Sequence, residues 1–294
     1  MLRLSPLVSA PFVLLAACSS NQSSGAPQSA EATAATPAST SEPSPPATTD
    51  AAPSPDDGST SIDAGGSSGS AVACSGPASV VSFTTSDGVA LEADFVPSGQ
   101  ATGKAAVLLH MIPPSNDRTN YPPAFIEALT GAGYTVLNVD RRGAGGSKGD
   151  PRAAYEGPNG RLDAVAAMSF LASSHCALEA RNTVIVGASN GTTTALDHAV
   201  TAEASDRPLA LVFLSPGGYT ENQNAVVDHA DVLSSMPVFL GYPDGERAWP
   251  EGVRGLAGDA WVFEQYDGGS HGSRLFSSSP TVTDDILQFL STHG

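Results

Sequence analysis

The chain has 294 residues, with 30 Asp and Glu against 13 Lys and Arg, for a net charge of −17. With no run of basic residues and no aromatic platform between them, this charge argues against a phosphate-rich nucleic acid as partner. Acidity of this size reads as solubility. Six acidic residues, Glu31, Glu42, Asp50, Asp56, Asp57 and Asp63, fall in one stretch that has no Lys or Arg.

The N-terminal segment carries one positive charge, Arg3. An apolar run of roughly eleven residues follows from about Leu7, too short for the ~20 residues that span a bilayer. It fits the central region of an export signal. Leu15-Ala16-Ala17-Cys18 resembles the lipobox of bacterial lipoproteins. That resemblance implies a signal peptide over 1–17, cleavage before Cys18 and acylation of that cysteine. The domain would then be lipid-anchored at the cell envelope, at the outer membrane in a Gram-negative organism, because no aspartate follows Cys18. The other reading is an ordinary secretory signal with Cys18 incidental and the domain extracellular. Residues 18–73 are mostly Ser, Ala, Thr, Pro, Gly and Asp, with Ile62 and Val72 as the sizeable aliphatics. Such a segment cannot offset the entropy of ordering, so a disordered tether is expected.

From Cys74 to Gly294 the composition changes, and about 220 residues are enough for one core and too few for two. Residues 80–84 are strand-like, Asp87-Gly88 is a hairpin turn signal, and 90–96 alternate apolar and polar as a half-buried strand does. Residues 105–109 form a continuous apolar run, the mark of a strand buried on both faces. It ends at His110-Met111-Ile112-Pro113-Pro114. A short helix over 123–130 precedes a buried strand over 134–139, which ends in Asp140-Arg141-Arg142-Gly143-Ala144-Gly145-Gly146-Ser147. Leu162, Val165, Ala166, Ser169 and Phe170 are spaced for a helix over 160–173. Further strands are expected at 183–186, 209–214, 238–241 and 260–266. Helices are expected near 248–256 and over 283–290, the last capped by Thr283 or Ser279. Strands separated by helices over this length mean a mostly parallel, three-layer α/β sheet. In an oxidising exterior Cys74 and Cys176 are a candidate disulfide; two free buried thiols are the other reading.

Gly187-Ala188-Ser189-Asn190-Gly191 follows the strand at 183–186 and precedes a helix-forming run. This is G-x-S-x-G in the setting that gives the motif meaning. A sharp turn lifts the serine hydroxyl out of the backbone. The helix N-terminus near Asn190 points unpaired N–H groups at whatever Ser189 attacks. A serine hydroxyl is a feeble nucleophile until a base takes its proton. His271, in Asp267-Gly268-Gly269-Ser270-His271-Gly272 after the last strand, can swing over the site. His175, His198, His229 and His293 read as surface residues. An acid should follow the strand at 238–241. Asp244 is the first candidate, Glu246 the alternative and Glu221 a more distant option. A plain turn role before Gly245 is the other reading of Asp244. No His-x-x-x-His pair and no cysteine pair at zinc spacing occurs, so no metal is expected. No Lys-Ser/Thr follows Gly143, Gly145 and Gly146 in the register of a nucleotide loop, and no cofactor is expected.

Four motifs stand in order: His-x-x-Pro, Asp-Arg-Arg-Gly-x-Gly-x-Ser, the Gly-x-Ser-x-Gly turn and a late His-Gly. Together they resemble the α/β-hydrolase superfamily, in particular its secreted, cap-poor esterase and dienelactone-hydrolase-like branches. The likeness runs from Val80 to the C-terminus. It implies an α/β-hydrolase fold, with a mostly parallel sheet flanked by helices and little or no cap. It also implies a serine hydrolase that cleaves a small-molecule ester through an acyl-enzyme. Ser189 would be the nucleophile, His271 the base and Asp244 the acid, in the chain order of that fold. The oxyanion donors would be the N–H groups of Asn190 and of Ile112, with Met111 as the alternative. Met111 stands where the family has glycine, so its side chain narrows the acyl pocket or requires another backbone angle. His110, Asp140 and the 141–143 turn read as structural. Many relatives insert a lid after the strand at 209–214; here the connection is short and polar, which favours a small or exposed ester over a long-chain lipid. A peptidase, an acyltransferase or a non-catalytic envelope binding protein on the same fold stays open.

Overall fold

The computed structural model describes residues 73–220 and 224–294, all within one compact unit, Gly65–Gly294. The expected signal peptide 1–17, Cys18, the tether 18–73 save its last residue, and Glu221 lie outside the described residues. No helix among the described residues is long and apolar enough to cross a membrane.

Eight strands form one sheet: β1 (Ser79–Thr84), β2 (Ala90–Val96), β3 (Lys104–Leu109), β4 (Tyr134–Asp140), β5 (Thr183–Ala188), β6 (Ala210–Leu214), β7 (Val238–Pro243) and β8 (Trp261–Tyr266). The helices are α1 (Pro123–Gly131), α2 (Arg161–Ser173), α3 (Asn190–Thr201), α4 (Ala230–Leu233), α5 (Ala248–Val253), α6 (Leu275–Ser278) and α7 (Val282–His293). Strand order is β1-β2-β4-β3-β5-β6-β7-β8. β1 pairs antiparallel with β2, and β2 with β4; from β4 through β3 to β8 every pair is parallel.

The apolar runs account for this arrangement. Every residue of β4, β5, β6 and β7 is buried, as a parallel sheet covered on both faces requires. Alternation along each strand divides the core in two. Val107, Leu109, Ile185, Leu211 and Leu240 cluster with Leu171 of α2 and with Ala195 and Ala199 of α3. Leu108, Val136, Val186, Val212 and Phe239 cluster with Phe125 and Leu129 of α1 and with Ile286 and Phe289 of α7. This is the mostly parallel, three-layer sheet that the alternation of strands and helices predicted, and the α/β-hydrolase fold that the motif resemblance implied.

Three local expectations change. β7 runs two residues past the predicted end, because Tyr242 and Pro243 go on pairing with Gln265 and Tyr266. The last helix starts at Val282 with Thr281 at its N-cap and no side-chain cap bond. Neither Thr283 nor Ser279 caps it; the Ser279 carbonyl accepts the Val282 N–H at 3.4 Å. His198 is not on the surface but 3% exposed, since α3 is buried along almost its whole length.

Cys74 and Cys176 are joined by a disulfide across 102 residues. Closing a loop of that length removes about 4.7 kcal/mol of conformational freedom from the unfolded chain. Replacing both cysteines with alanine is expected to lower the unfolding free energy by about that amount in a urea titration. An unchanged midpoint would count against it.

Candidate active site

Ser189 occupies the bend between β5 and α3 at φ 51°, ψ −123°. Such a conformation costs a non-glycine residue roughly 1–3 kcal/mol and persists only where its surroundings hold it. Here its N–H donates to the Leu214 carbonyl at 2.8 Å. The end of β3 passes directly over the first turn of α3. A Cβ on Gly191 would lie 2.2 Å from the Leu109 oxygen and 2.7 Å from the His110 oxygen, so only glycine fits.

His271, beyond β8, reaches back to the bend. Its Nε2 lies 2.6 Å from Ser189 Oγ, and its Nδ1 lies 2.7 Å from Glu246 Oε1. Nδ1–H donates to the Glu246 carboxylate, which leaves the Nε2 lone pair facing the serine hydroxyl.

Asp244 does not meet His271. Because β7 continues through Pro243, Asp244 opens a short 3-10 turn, Asp244–Glu246. Its Oδ1 accepts the Gly268 N–H at 3.0 Å. Glu246 stands at the far end of that turn on a side chain one methylene longer, and it takes the imidazole. The expectation for Asp244 therefore gives way to the alternative, Glu246.

Ser215 braces this relay, although the sequence marks it only as the start of the polar connection after the strand at 209–214. It is fully buried at φ 55°. Its Oγ accepts the N–H of Gly272, next to His271, at 2.8 Å, and its own N–H donates to Gly241 at 2.7 Å. A serine closing a buried strand was the one available signal.

The loop after β3 is held by Arg141, which is fully buried. Its Nη1 donates to the His110 and Met111 carbonyls at 3.2 and 3.4 Å. Its Nη2 donates to Ala154 O, Asn190 Oδ1 and Thr194 Oγ1 at 3.0, 2.9 and 2.7 Å. All five acceptors are neutral oxygens. Burial lowers its pKa to about 10, so it stays charged at neutral pH. In a trans peptide the N–H points opposite to the C=O. Fixing the His110 and Met111 carbonyls on the Arg141 side thus turns the Met111 and Ile112 N–H groups away from it. Asn190, as the first residue of α3, has no preceding turn to take its N–H. Its side chain is clamped, with Oδ1 on Arg141 and Nδ2 donating to Thr220 Oγ1 at 3.1 Å. The Met111 side chain is buried among Tyr121, Phe125 and Leu275, and Gly272 lies between its thioether and Ser189. Ile112 is 38% exposed.

His110 serves this loop as a neutral imidazole. Its Nε2 accepts the Arg141 N–H at 2.9 Å, and its Nδ1 donates to the Met111 carbonyl at 2.7 Å. Burial, then the Arg141 charge, lower its pKa to about 3. Burial lowers that of His198 to about 4. A depressed histidine pKa means that the unfolded chain binds the proton first. Stability is whole above the unfolded value of 6.5 and is lost as pH falls below it, toward the folded values. The expected loss is about 1.4 kcal/mol per pH unit for each histidine. Urea unfolding at pH 7 and pH 5 measures it, and equal midpoints would contradict it.

Two cavities are lined by residues of the loops around the site. One, of about 660 Å³, is lined by Thr220, Val226, Val227, Trp249 and Leu256 among others and is mainly apolar. It begins beside Asn190, through Thr220. The other, of about 400 Å³, is lined by Met111, Asn116, Asn120, Ser273, Arg274 and Phe276 among others and is more polar.

The sheet order and the strand-turn-helix at Ser189 define a chain of the α/β-hydrolase fold. Solved structures share it at low sequence identity. An esterase of Pyrococcus furiosus, Pf2001, is 20% identical with a TM-score of 0.59, over 74% of this chain and 91% of that one. The esterase RhEst1 of Rhodococcus sp. ECU1013 is 14% identical with a TM-score of 0.57, over 74% and 100%. The α/β hydrolase GrgF of Penicillium sp. sh18 is 16% identical with a TM-score of 0.57, over 74% and 99%. No protein-family model and no curated protein matches the chain.

Proposed function

We propose that this chain is a serine hydrolase that cleaves a small carboxylic ester through an acyl-enzyme on Ser189. The observation that carries the reading is the unbroken relay from Ser189 Oγ through His271 to Glu246, at 2.6 and 2.7 Å. His271 takes the serine proton as Oγ attacks the carbonyl carbon, then gives it to the departing alcohol. In the second half it takes a proton from water, which attacks the acyl carbon. Glu246 keeps the proton-bearing nitrogen turned away from the serine and stabilises the imidazolium. The N–H of Asn190 and that of Ile112 or Met111 receive the negative charge on the carbonyl oxygen. The Arg141 contacts support this assignment, because one buried cation orients both sources of donors. The esterases of the same fold agree with it. The apolar cavity beside Thr220 suits a short or branched acyl group.

A fluorophosphonate probe on the purified chain tests the reading. Labelling that maps to Ser189 supports it; an unlabelled chain that also leaves short-chain p-nitrophenyl esters intact would end it. The lipid anchor remains a separate proposal resting on Leu15-Ala16-Ala17-Cys18. Incorporation of labelled palmitate that is lost in Cys18→Ala would support it, and its absence from the unaltered chain would remove it.

A further inference from the structure

Three side chains that bind metals meet outside the relay. Cys74 and Cys176 are 102 residues apart, a separation that no zinc pattern in the sequence marks. The fold brings them together with His175, and the two sulfurs and an imidazole nitrogen all lie within 4.8 Å of one another. Two local structures make this possible. Ser174 to Ala177 form a tight turn: the Ala177 N–H donates to the Ser174 carbonyl at 3.0 Å, and the Cys176 N–H to Ser174 Oγ at 3.3 Å. His175 and Cys176 are its two central residues. In a strand consecutive side chains point to opposite faces; from this turn both reach one point. Cys74 is fixed from the other side, since its carbonyl accepts the Gly99 N–H at 2.8 Å. The imidazole stands beside the Ser75 carbonyl, 3.4 Å from Nε2, and meets Phe95 edge to face with ring centroids 5.8 Å apart. Cys74 is buried, Cys176 half-buried and His175 exposed, so a solute reaches the cluster from the His175 side.

We propose that Cys74, His175 and Cys176 form a zinc site when their disulfide is reduced. Thiolate and imidazole are donors that zinc takes. Around one tetrahedral zinc, sulfur and nitrogen donors stand about 3.5–3.8 Å apart, so small side-chain rotations bring the reduced cluster into place. Three protein ligands leave the fourth position to water, which the exposure of His175 admits. The exchange balances in two steps. A dithiol reductant passes two electrons and two protons to the disulfide, which opens to two thiols while the dithiol closes to its own disulfide. Zinc then takes both sulfurs as thiolates and His175 as neutral imidazole, and two protons are released. The ion keeps the start of the domain joined to the turn between α2 and β5 after the covalent bond is gone. None of the three residues takes part in the hydrolytic steps, so the site stands whether or not the chain is a hydrolase.

Cobalt(II) and zinc test this in the purified chain carrying Cys18→Ala, which removes the one other thiol. The chain is reduced with dithiothreitol, which is then removed under nitrogen. One equivalent of cobalt is expected to give sulfur-to-cobalt charge transfer in the near ultraviolet and the visible bands of a tetrahedral ion, both bleached by zinc. The oxidised chain is expected to show neither. His175→Ala is expected to weaken zinc binding by about a hundredfold, the upper end of what losing an outer-shell partner costs. Cobalt bound without the sulfur band, or zinc held as tightly by His175→Ala, would overturn the site. Because reduction also loosens the fold, a urea titration completes the test. Zinc is expected to raise the midpoint of the reduced chain and not that of the oxidised chain. A reduced chain whose midpoint zinc leaves unchanged would overturn the site as well.

Discussion

Replacing Ser189 with alanine is expected to lower kcat for p-nitrophenyl acetate by about a million-fold. The substitution deletes the one atom that faces His271 Nε2 at 2.6 Å. No second hydroxyl can take the place of Oγ in that geometry, because the bend aims a single side chain out of the turn. What remains is the set of backbone donors and the binding cleft, which alone retain about 10³- to 10⁴-fold over the reaction in water. The residual rate should therefore be small but measurable. A discontinuous assay with active-site titration separates it from traces of unaltered enzyme. A variant that kept more than about one per cent of the activity would place the nucleophile elsewhere, since residues of one relay fail together.

The second large effect separates two neighbouring carboxylates. Glu246→Gln is expected to lower kcat by about 10³- to 10⁴-fold, as the loss of a triad acid does. The amide keeps the shape of the carboxylate but not its charge. It can also present its NH₂ to Nδ1, which forces the proton onto Nε2 and leaves Ser189 without an acceptor. Asp244→Asn is expected to leave kcat close to wild type, because its contact is a single bond to the Gly268 N–H at 3.0 Å. Kinetics of the two variants side by side decide the assignment. A large loss in Asp244→Asn with an active Glu246→Gln would reverse it.

How much of this was legible in the sequence differs from residue to residue. The sheet was legible because each inner strand is an uninterrupted apolar run with turn residues at its ends. Ser189 and His271 could be picked out because both lie in short motifs whose meaning depends only on the strand beside them. The carboxylate that meets His271 was legible only as the alternative to Asp244, and the reason is a shift of two residues. Tyr242 and Pro243 read as loop, but they pair with β8, so the turn begins later and rotates Asp244 away. A carboxylate before glycine is a strong local turn signal. It competed with Glu246, whose merit lies in where a 3-10 turn points its third residue. Ser215 was harder still, and Arg141 was legible only as part of a structural turn. Arg141 matters through Met111 and Asn190, and Ser215 through Gly272, and those pairs meet only when separate strand ends are brought together. His198 misled for a related reason: nothing in the sequence of α3 marks that its outer side is covered.

The bond between Cys74 and Cys176 also divides the site by connectivity. It makes a closed covalent circuit of the chain between the two cysteines and leaves Ala177–Gly294 as an open tail. The circuit holds β1 to β4, the 110–112 loop and Arg141. The tail holds Ser189, Glu246 and His271. A protease that cuts once inside the circuit leaves every part of the site on one covalent molecule. One cut in the tail between Ser189 and Glu246 severs Ser189 from Glu246 and His271. The 110–112 loop and Arg141 are thus tethered twice, while Ser189, Asn190, Glu246 and His271 lie on a singly tethered stretch of chain, with Val227 along it at 63% exposure.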